Sequence, residues 1–287
     1  MHLCPLLVIA ISVATVSATA PNIDPAHSVI SSELIGSLDW RPFDSDGASV
    51  NQYYCSGFIY GSAVGWINLG SGSPATGFQY RNDSAADFGV NVSPEGELTG
   101  FAYGANLGWI NFVAAGNPRV DWVTGKLLGA AWSANAGWIS LGDASTFLRI
   151  DSLPELPDSD ADGLPDAWEI QLTGTLTSMA GHTDTDHDGQ TNLQEYLAGT
   201  DPFDPGDFVG PLRLNVNPTV STLSFPSKAG FLYRVEQRAA FGYGAWSPVS
   251  PAPIVGTGSL ISIELGNNSG TPLFYRVVAY PPLTQLD

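Results

Sequence analysis

The sequence predicts a mainly β protein in three parts: an N-terminal β-repeat domain folded as a sandwich, barrel or roll, a small loop module with short helices, and a C-terminal β-sandwich. Three observations lead there. Gly (32) and Pro (21) are abundant and only 13% of the 287 residues are charged, which excludes helical bundles and coiled coils, since those need many helix formers and few breakers. A Gly-Trp-Ile motif recurs at 65–67, 108–110 and 137–139. Short alternating apolar runs separated by turn residues fill the last quarter of the chain. The aromatic share of 11%, with eight Trp, supplies enough apolar surface to bury and argues against disorder. A balance of 28 acidic against 10 basic residues, net −18, excludes nucleic acid and anionic membrane surfaces as partners.

Residues 1–20 contain no Asp, Glu, Lys or Arg, and Leu6–Val16 is an apolar run followed by Val16-Ser17-Ala18, a small-x-small cleavage pattern. We read a signal peptide over 1–20, hence a secreted or cell-surface location. The run is too short to span a bilayer as a helix, so no membrane insertion is expected after cleavage. Cleavage would remove Cys4 and leave Cys55 without a disulfide partner in the chain. Residues 21–35 read as a linker.

The β-repeat domain is placed at 36–150. Three segments share one pattern: Gly57-Phe58-Ile59-Tyr60 with Gly65-Trp66-Ile67-Asn68-Leu69, Gly100-Phe101-Ala102-Tyr103 with Gly108-Trp109-Ile110-Asn111-Phe112, and Gly129-Ala130-Ala131-Trp132 with Gly137-Trp138-Ile139-Ser140-Leu141. The second and third Trp are 29 residues apart and the first and second 43, the extra length falling in the Gly/Ser/Asn-rich stretch 70–88. Each copy reads as a hairpin closed by a tight turn, where Gly and Asn accept φ > 0. A three-residue loop would set Tyr60 against Trp66, Tyr103 against Trp109 and Trp132 against Trp138, with Ile67 and Leu69 on the opposite face. Two roles follow for Trp66, Trp109 and Trp138: an exposed row that stacks on sugar rings, or the packed core of the repeat. Regular repetition favours the core. The pattern resembles a Gly-Trp-Ile repeat of secreted bacterial proteins, over about 55–142, and that resemblance implies architecture rather than chemistry.

Between 155 and 207 there are 13 Asp plus Glu and no Lys or Arg. Two twelve-residue stretches, 158–169 and 184–195, match the EF-hand loop at each diagnostic place. Ca²⁺ takes about six to eight hard oxygens, and this spacing supplies them. Side chains of Asp158, Asp160 and Asp162, and of Asp184, Asp186 and Asp188, wrap one side of an ion. Gly163 and Gly189 make the bend that turns in the backbone carbonyls of Leu164 and Gln190. Asp166 and Asn192 ligate directly or through water, and Glu169 and Glu195 close the sphere as bidentate ligands. Short helices are expected at Pro165–Leu172 and Leu193–Leu197, stopped by Gly199. Neither loop is preceded by a helix pattern, so these are half-hands. With Gly199-Thr200-Asp201-Pro202-Phe203-Asp204-Pro205, the module at 151–207 resembles the thrombospondin type 3-like calcium modules of secreted bacterial proteins, and the resemblance implies two structural Ca²⁺ ions rather than a sensor. A dockerin-like module, which also carries two half-hands and binds a protein partner through helix faces, is the alternative within this class.

Residues 208–287 form the last part, with strands expected at 212–217, 220–225, 231–237, 260–265 and 273–280. Phe231, Tyr233 and Val235 alternate with Leu232, Arg234 and Glu236, as a strand with one buried face does. Tyr233-Arg234-Val235-Glu236 and Tyr275-Arg276-Val277-Val278-Ala279 resemble the third and sixth strands of a fibronectin type III-like sandwich.

Beyond the leader, His27, His182 and His187 are the histidines, and the sequence has no Gly-x-Ser-x-Gly elbow, His-Glu-x-x-His or phosphate loop. Asp83 and Asp87 read as surface residues rather than a glycosidase pair. No enzymatic activity is expected. The reading is a secreted calcium-binding structural, surface or matrix protein, with polysaccharide or another surface protein as the alternative partner of the N-terminal aromatics.

Overall fold

The computed structural model describes residues 21–32, 34–210, 212–217, 220–239, 245–249, 252–265 and 274–283; the expected signal peptide, 1–20, lies outside them. The fold is mainly β, as composition and alternation predict. No helix among the described residues is long and apolar enough to cross a membrane.

The first twelve strands form one antiparallel sheet. They are β1 (Val29–Ser32), β2 (Gly36–Asp39), β3 (Ala48–Val50), β4 (Cys55–Gly61), β5 (Gly65–Gly70), β6 (Val90–Val92), β7 (Leu98–Gly104), β8 (Gly108–Phe112), β9 (Arg119–Asp121), β10 (Lys126–Ser133), β11 (Gly137–Gly142) and β12 (Leu148–Arg149). The main path runs β1-β2-β4-β5-β7-β8-β10-β11, with β3 on β4, β6 on β7, and β9 and β12 on β10. The sheet curls until β1 lies beside β11. Trp40, Ile59, Ile67, Ile110, Ile139 and Leu141 face inward around a void of only about 20 Å³. Cys55 is fully buried in this core, and burial pushes its thiol pKa up.

The three repeats are the hairpins β4–β5, β7–β8 and β10–β11. Tyr60 pairs with Trp66, Tyr103 with Trp109 and Trp132 with Trp138, as the spacing predicts. The left-handed residue of each turn is the closing glycine, Gly65, Gly108 or Gly137 (φ 76°, 76° and 67°). The turn asparagines act differently. Asn106 Nδ2 donates to the Val64 carbonyl (3.2 Å) and Asn135 Nδ2 to the Leu107 carbonyl (3.0 Å), each tying its turn to the preceding one.

The aromatic pairs lie on the outside of the curl. Trp66, Trp109 and Trp138 are 42%, 46% and 49% exposed, whereas Ile67, Ile110 and Ile139 are buried. The core role favoured by the repetition is therefore overturned. Alternation separates the two faces of a strand without saying which one the sheet will curl around.

Residues 21–35 are not a linker. Ile23 bridges to Ile150, and β1 pairs with β2 from Val29↔Asp39 to Ser32↔Gly36. Ile23, Ile30 and Ile35 are buried in the core. Asn22 Nδ2 donates to the carbonyls of Val50 (2.8 Å) and Ser152 (2.6 Å), while its Oδ1 accepts from Val50 N (2.9 Å). Asp24 is paired with Arg149. These partners are distant in sequence, and a four-residue strand has too little local pattern to show itself.

The C-terminal strands β13 (Arg213–Asn215), β14 (Ser221–Pro226) and β18 (Leu260–Leu265) make one sheet. β15 (Leu232–Arg238), flanked by β16 (Ser247–Pro248), β17 (Ile254–Val255) and β19 (Phe274–Tyr280), makes the other. Leu223, Phe225 and Leu265 of the first sheet meet Tyr233 and Val235 of the second in a shared core. The strands bearing Tyr233 and Tyr275 are direct neighbours, with Gln237 opposite Tyr275.

Candidate metal centres

Between these β units lie two short helices, α1 (Asp166–Thr173) and α2 (Asn192–Ala198), each beginning at the ninth position of an acidic loop. Both end on a left-handed glycine, Gly174 and Gly199. Thr191 and Gln194 cap α2 reciprocally: Gln194 N donates to Thr191 Oγ1 (3.3 Å) and Thr191 N to Gln194 Oε1 (2.8 Å).

The two loops share one backbone course. Their fourth residues, Ala161 and His187, and their sixth, Gly163 and Gly189, all have positive φ (60°, 69°, 94° and 98°). In each loop the sixth residue donates its N–H to the first aspartate, Gly163 to Asp158 Oδ2 and Gly189 to Asp184 Oδ2, both at 3.0 Å. The seventh donates to the fifth, Leu164 to Asp162 Oδ1 (2.9 Å) and Gln190 to Asp188 Oδ1 (2.7 Å). These bonds wrap the backbone around the carboxylates. Two groups result, Asp158 with Asp160 and Asp162, and Asp184 with Asp186 and Asp188, whose carboxylate oxygens lie within 4.8 Å of one another and could hold a metal ion.

Behind each triplet sits a glutamate. Glu169 and Glu195 are fully buried, and both oxygens of both carboxylates lack a hydrogen-bond partner. Burial, and after it repulsion from the triplet aspartates, together push their pKa values up to about 7. A buried, unpaired carboxylate beside three others is costly unless a cation or a proton compensates it. An all-oxygen donor set of this kind suits a hard divalent cation.

The remaining expected ligands divide. Asp166 accepts from Ser159 N (2.7 Å) and Ser159 Oγ (2.6 Å), so its carboxylate braces the start of its loop. Asn192 is buried, its Nδ2 donating to the Ala180 carbonyl and to Thr183 Oγ1 (both 3.0 Å), and its Oδ1 is unpartnered. The Leu164 side chain is wholly buried, leaving only its backbone to serve the loop. One contributor was not evident in sequence: Gly181 N donates to Asp162 Oδ2 (2.7 Å), and Leu193 N donates to the Gly181 carbonyl (3.0 Å). Gly181 thus joins the first loop to the helix of the second.

The module touches both neighbouring units. Tyr53 and Trp122 of the repeat domain, Trp168 of α1, Tyr196 of α2 and Phe231 of the C-terminal unit line one junctional cavity of about 250 Å³. Lys228 Nζ donates to Asp207 Oδ2 at 2.7 Å, a second link to the C-terminal unit.

No family model, curated protein or solved structure matches this chain.

Proposed function

We propose that the chain is a secreted or cell-surface structural protein in which two Ca²⁺ ions, one per loop, rigidify the module between its two β units. The observation that carries this reading is the pair of buried glutamates whose four oxygens have no partner beside the aspartate triplets. In the bound form Asp158, Asp160, Asp162 and Glu169 would hold one ion, and Asp184, Asp186, Asp188 and Glu195 the other. The backbones of Leu164 and Gln190 and the unpartnered Oδ1 of Asn192 would complete the spheres, with Asp166 serving the first through water while it braces Ser159. The five carboxylates of the first loop and four of the second otherwise repel one another, and two dications reduce their summed charge from −9 to −5.

Structural rather than regulatory calcium is supported by where the helices point. Trp168 and Tyr196, each adjacent in sequence to a closing glutamate, are turned into the junction with Tyr53, Trp122 and Phe231. A dockerin would need such helix faces free for a partner. Fixing the glutamates would fix these aromatics and hence the seating of both β units. A site half-way saturated far below the ambient concentration adds about 2.7 kcal/mol when calcium is a hundredfold above Kd.

Thermal unfolding of the mature chain tests the proposal. The melting temperature should rise on replacing chelator by millimolar Ca²⁺, and Glu169→Gln or Glu195→Gln should each remove part of the rise. A midpoint indifferent to Ca²⁺ would reject the reading.

A further inference from the structure

Calcium leaves one large feature of the molecule unused, the aromatic outer face of the repeat sheet. Tyr60 with Trp66, Tyr103 with Trp109 and Trp132 with Trp138 stand there, each 40–49% exposed. Contiguous apolar patches of this kind on a monomer mark binding surfaces. The rings of each pair are tilted at about 60° with centroids 4.9–5.2 Å apart, so they cannot cover one another and leave ring faces open to solvent.

Three further observations define what would bind. First, the repeat hairpins contribute almost no charge to this face, which meets single carboxylates only at its margins, Asp39 opposite Tyr60 and Asp83 at the Trp109 cleft. In a chain with 28 acidic residues, β4, β5, β7, β8, β10 and β11 contain no Asp, Glu or Arg. Their single lysine, Lys126, is engaged over the Phe147 ring at 3.7 Å. Second, amides are interleaved with the rings: Asn68 lies opposite Tyr103 and Asn111 opposite Trp132 across neighbouring hairpins. Third, the platform is periodic and rigid. One aromatic pair recurs every two strands, about 10 Å across the sheet, which is the length of a disaccharide in an extended glycan. The Asn106 and Asn135 bonds hold successive turns in place. Flat rings accept the C–H faces of pyranoses, amides meet hydroxyls, and a repeating platform matches a repeating polymer.

The stretch that breaks the repeat period supplies a cleft. Asn82, Asp83, Ser84, Phe88, Phe101 and Trp109 enclose about 360 Å³. Phe88 meets Trp109 edge to face at 5.0 Å. Asp87 holds the loop by accepting from Ala75 N (3.0 Å) and Arg81 N (3.1 Å), and Asn82 Oδ1 accepts from Gly89 N (3.0 Å). Asp83 and Ser84 at the rim add an acceptor and a hydroxyl beside an aromatic floor.

We propose that the outer face of the repeat sheet binds a neutral, linear polysaccharide, with the Trp109 cleft as its principal subsite. Affinity electrophoresis of the mature chain tests this in gels containing hydroxyethylcellulose, xylan, galactomannan or laminarin, with alginate as an anionic control. At least one neutral gel should retard the protein and alginate should not. Trp109→Ala should weaken the association about tenfold, the effect expected for a lost stacking contact, while the variant still unfolds cooperatively, at a somewhat lower midpoint because Phe88, Phe101 and Tyr103 lose a ring neighbour. Asp83→Ala, at the exposed rim, reads the cleft without touching the aromatic packing and should also weaken binding. No retardation in any neutral gel overturns the proposal, as does retardation that neither variant changes. A self-association dispersed by Trp109→Ala, without polysaccharide binding, would assign the face to a second copy of the chain instead. Calcium binding is read separately, so failure here leaves the metal centres untouched.

Discussion

The rings of Trp168 and Tyr196 meet edge to face with centroids 5.4 Å apart, and each ring is one residue from a buried glutamate with no hydrogen-bond partner. The two half-hands therefore do more than sit in sequence. Each places a buried, unpartnered carboxylate and a junctional aromatic on consecutive residues of a short helix, so in the proposed calcium-bound form the ion and the seating of the β units would be set together.

This pairing gives a first expected outcome. A double-mutant cycle on Trp168→Ala and Tyr196→Ala should show a coupling of about 0.5–1.5 kcal/mol in Ca²⁺, the range for an aromatic pair. The coupling should shrink in chelator, where the helices lose their anchors. Equal coupling in both conditions would detach the ring contact from the metal.

Proton and cation should compete at the same carboxylates. In the metal-free protein Glu169 and Glu195 have pKa values of about 7 against an ordinary 4.5. A folded-state value above the unfolded one means that the native state binds protons more tightly. That stabilisation is complete below about pH 4.5 and is lost as pH rises through 7. Chelator-treated protein should thus melt lower at pH 8 than at pH 5, while Ca²⁺ should remove that loss by taking the proton's place. Calorimetric scans across this interval decide the sign.

The repeat rests on a glycine that no other residue replaces. Gly100 has φ 93°, and a Cβ there would stand 2.3 Å from the Gly89 carbonyl oxygen. Gly57 and Gly129, its counterparts, meet the carbonyls of Gly47 and Asn117 at 2.1 Å. Gly36 also has positive φ (72°) but nothing within 4 Å. Gly36→Ala should cost about 1 kcal/mol of backbone strain, whereas Gly100→Ala should cost well above about 3. Urea denaturation of the two variants compares them.

Asn22→Ala should destabilise the repeat domain by about 2–3 kcal/mol. It removes three hydrogen bonds and leaves the Val50 N–H without its side-chain acceptor. A chain in which residues 21–35 were only a linker would not register the change, and a urea midpoint identical to wild type would contradict the structure here.

Much of the architecture was legible because it is local. Hairpin register followed from the six-residue interval between each aromatic and its Trp, and the acidic loops followed from ligand spacing. Two things were not. The seating of the segment before β1 depends on Asn22, Ile23 and Asp24 reaching Ser152, Ile150 and Arg149, far away in sequence. The direction of curl depends on the whole sheet. A signal for the latter does exist: Asn68 and Asn111 follow Trp66 and Trp109 by two residues and share their face, and an amide marks that face as wet. The cleft at Trp109 left its own trace, the longer interval between the first two repeats, whose extra residues supply Asn82, Asp83 and Phe88.

Titration calorimetry of Ca²⁺ into the chelator-treated mature chain tests the central claim most directly, with Glu169→Gln and Glu195→Gln alongside. The account predicts two sites in the wild type and one in each variant. No heat of binding up to several millimolar Ca²⁺, beyond the weakest extracellular sites of about 10⁻³ M, would contradict it and leave 155–207 a solvated acidic connection.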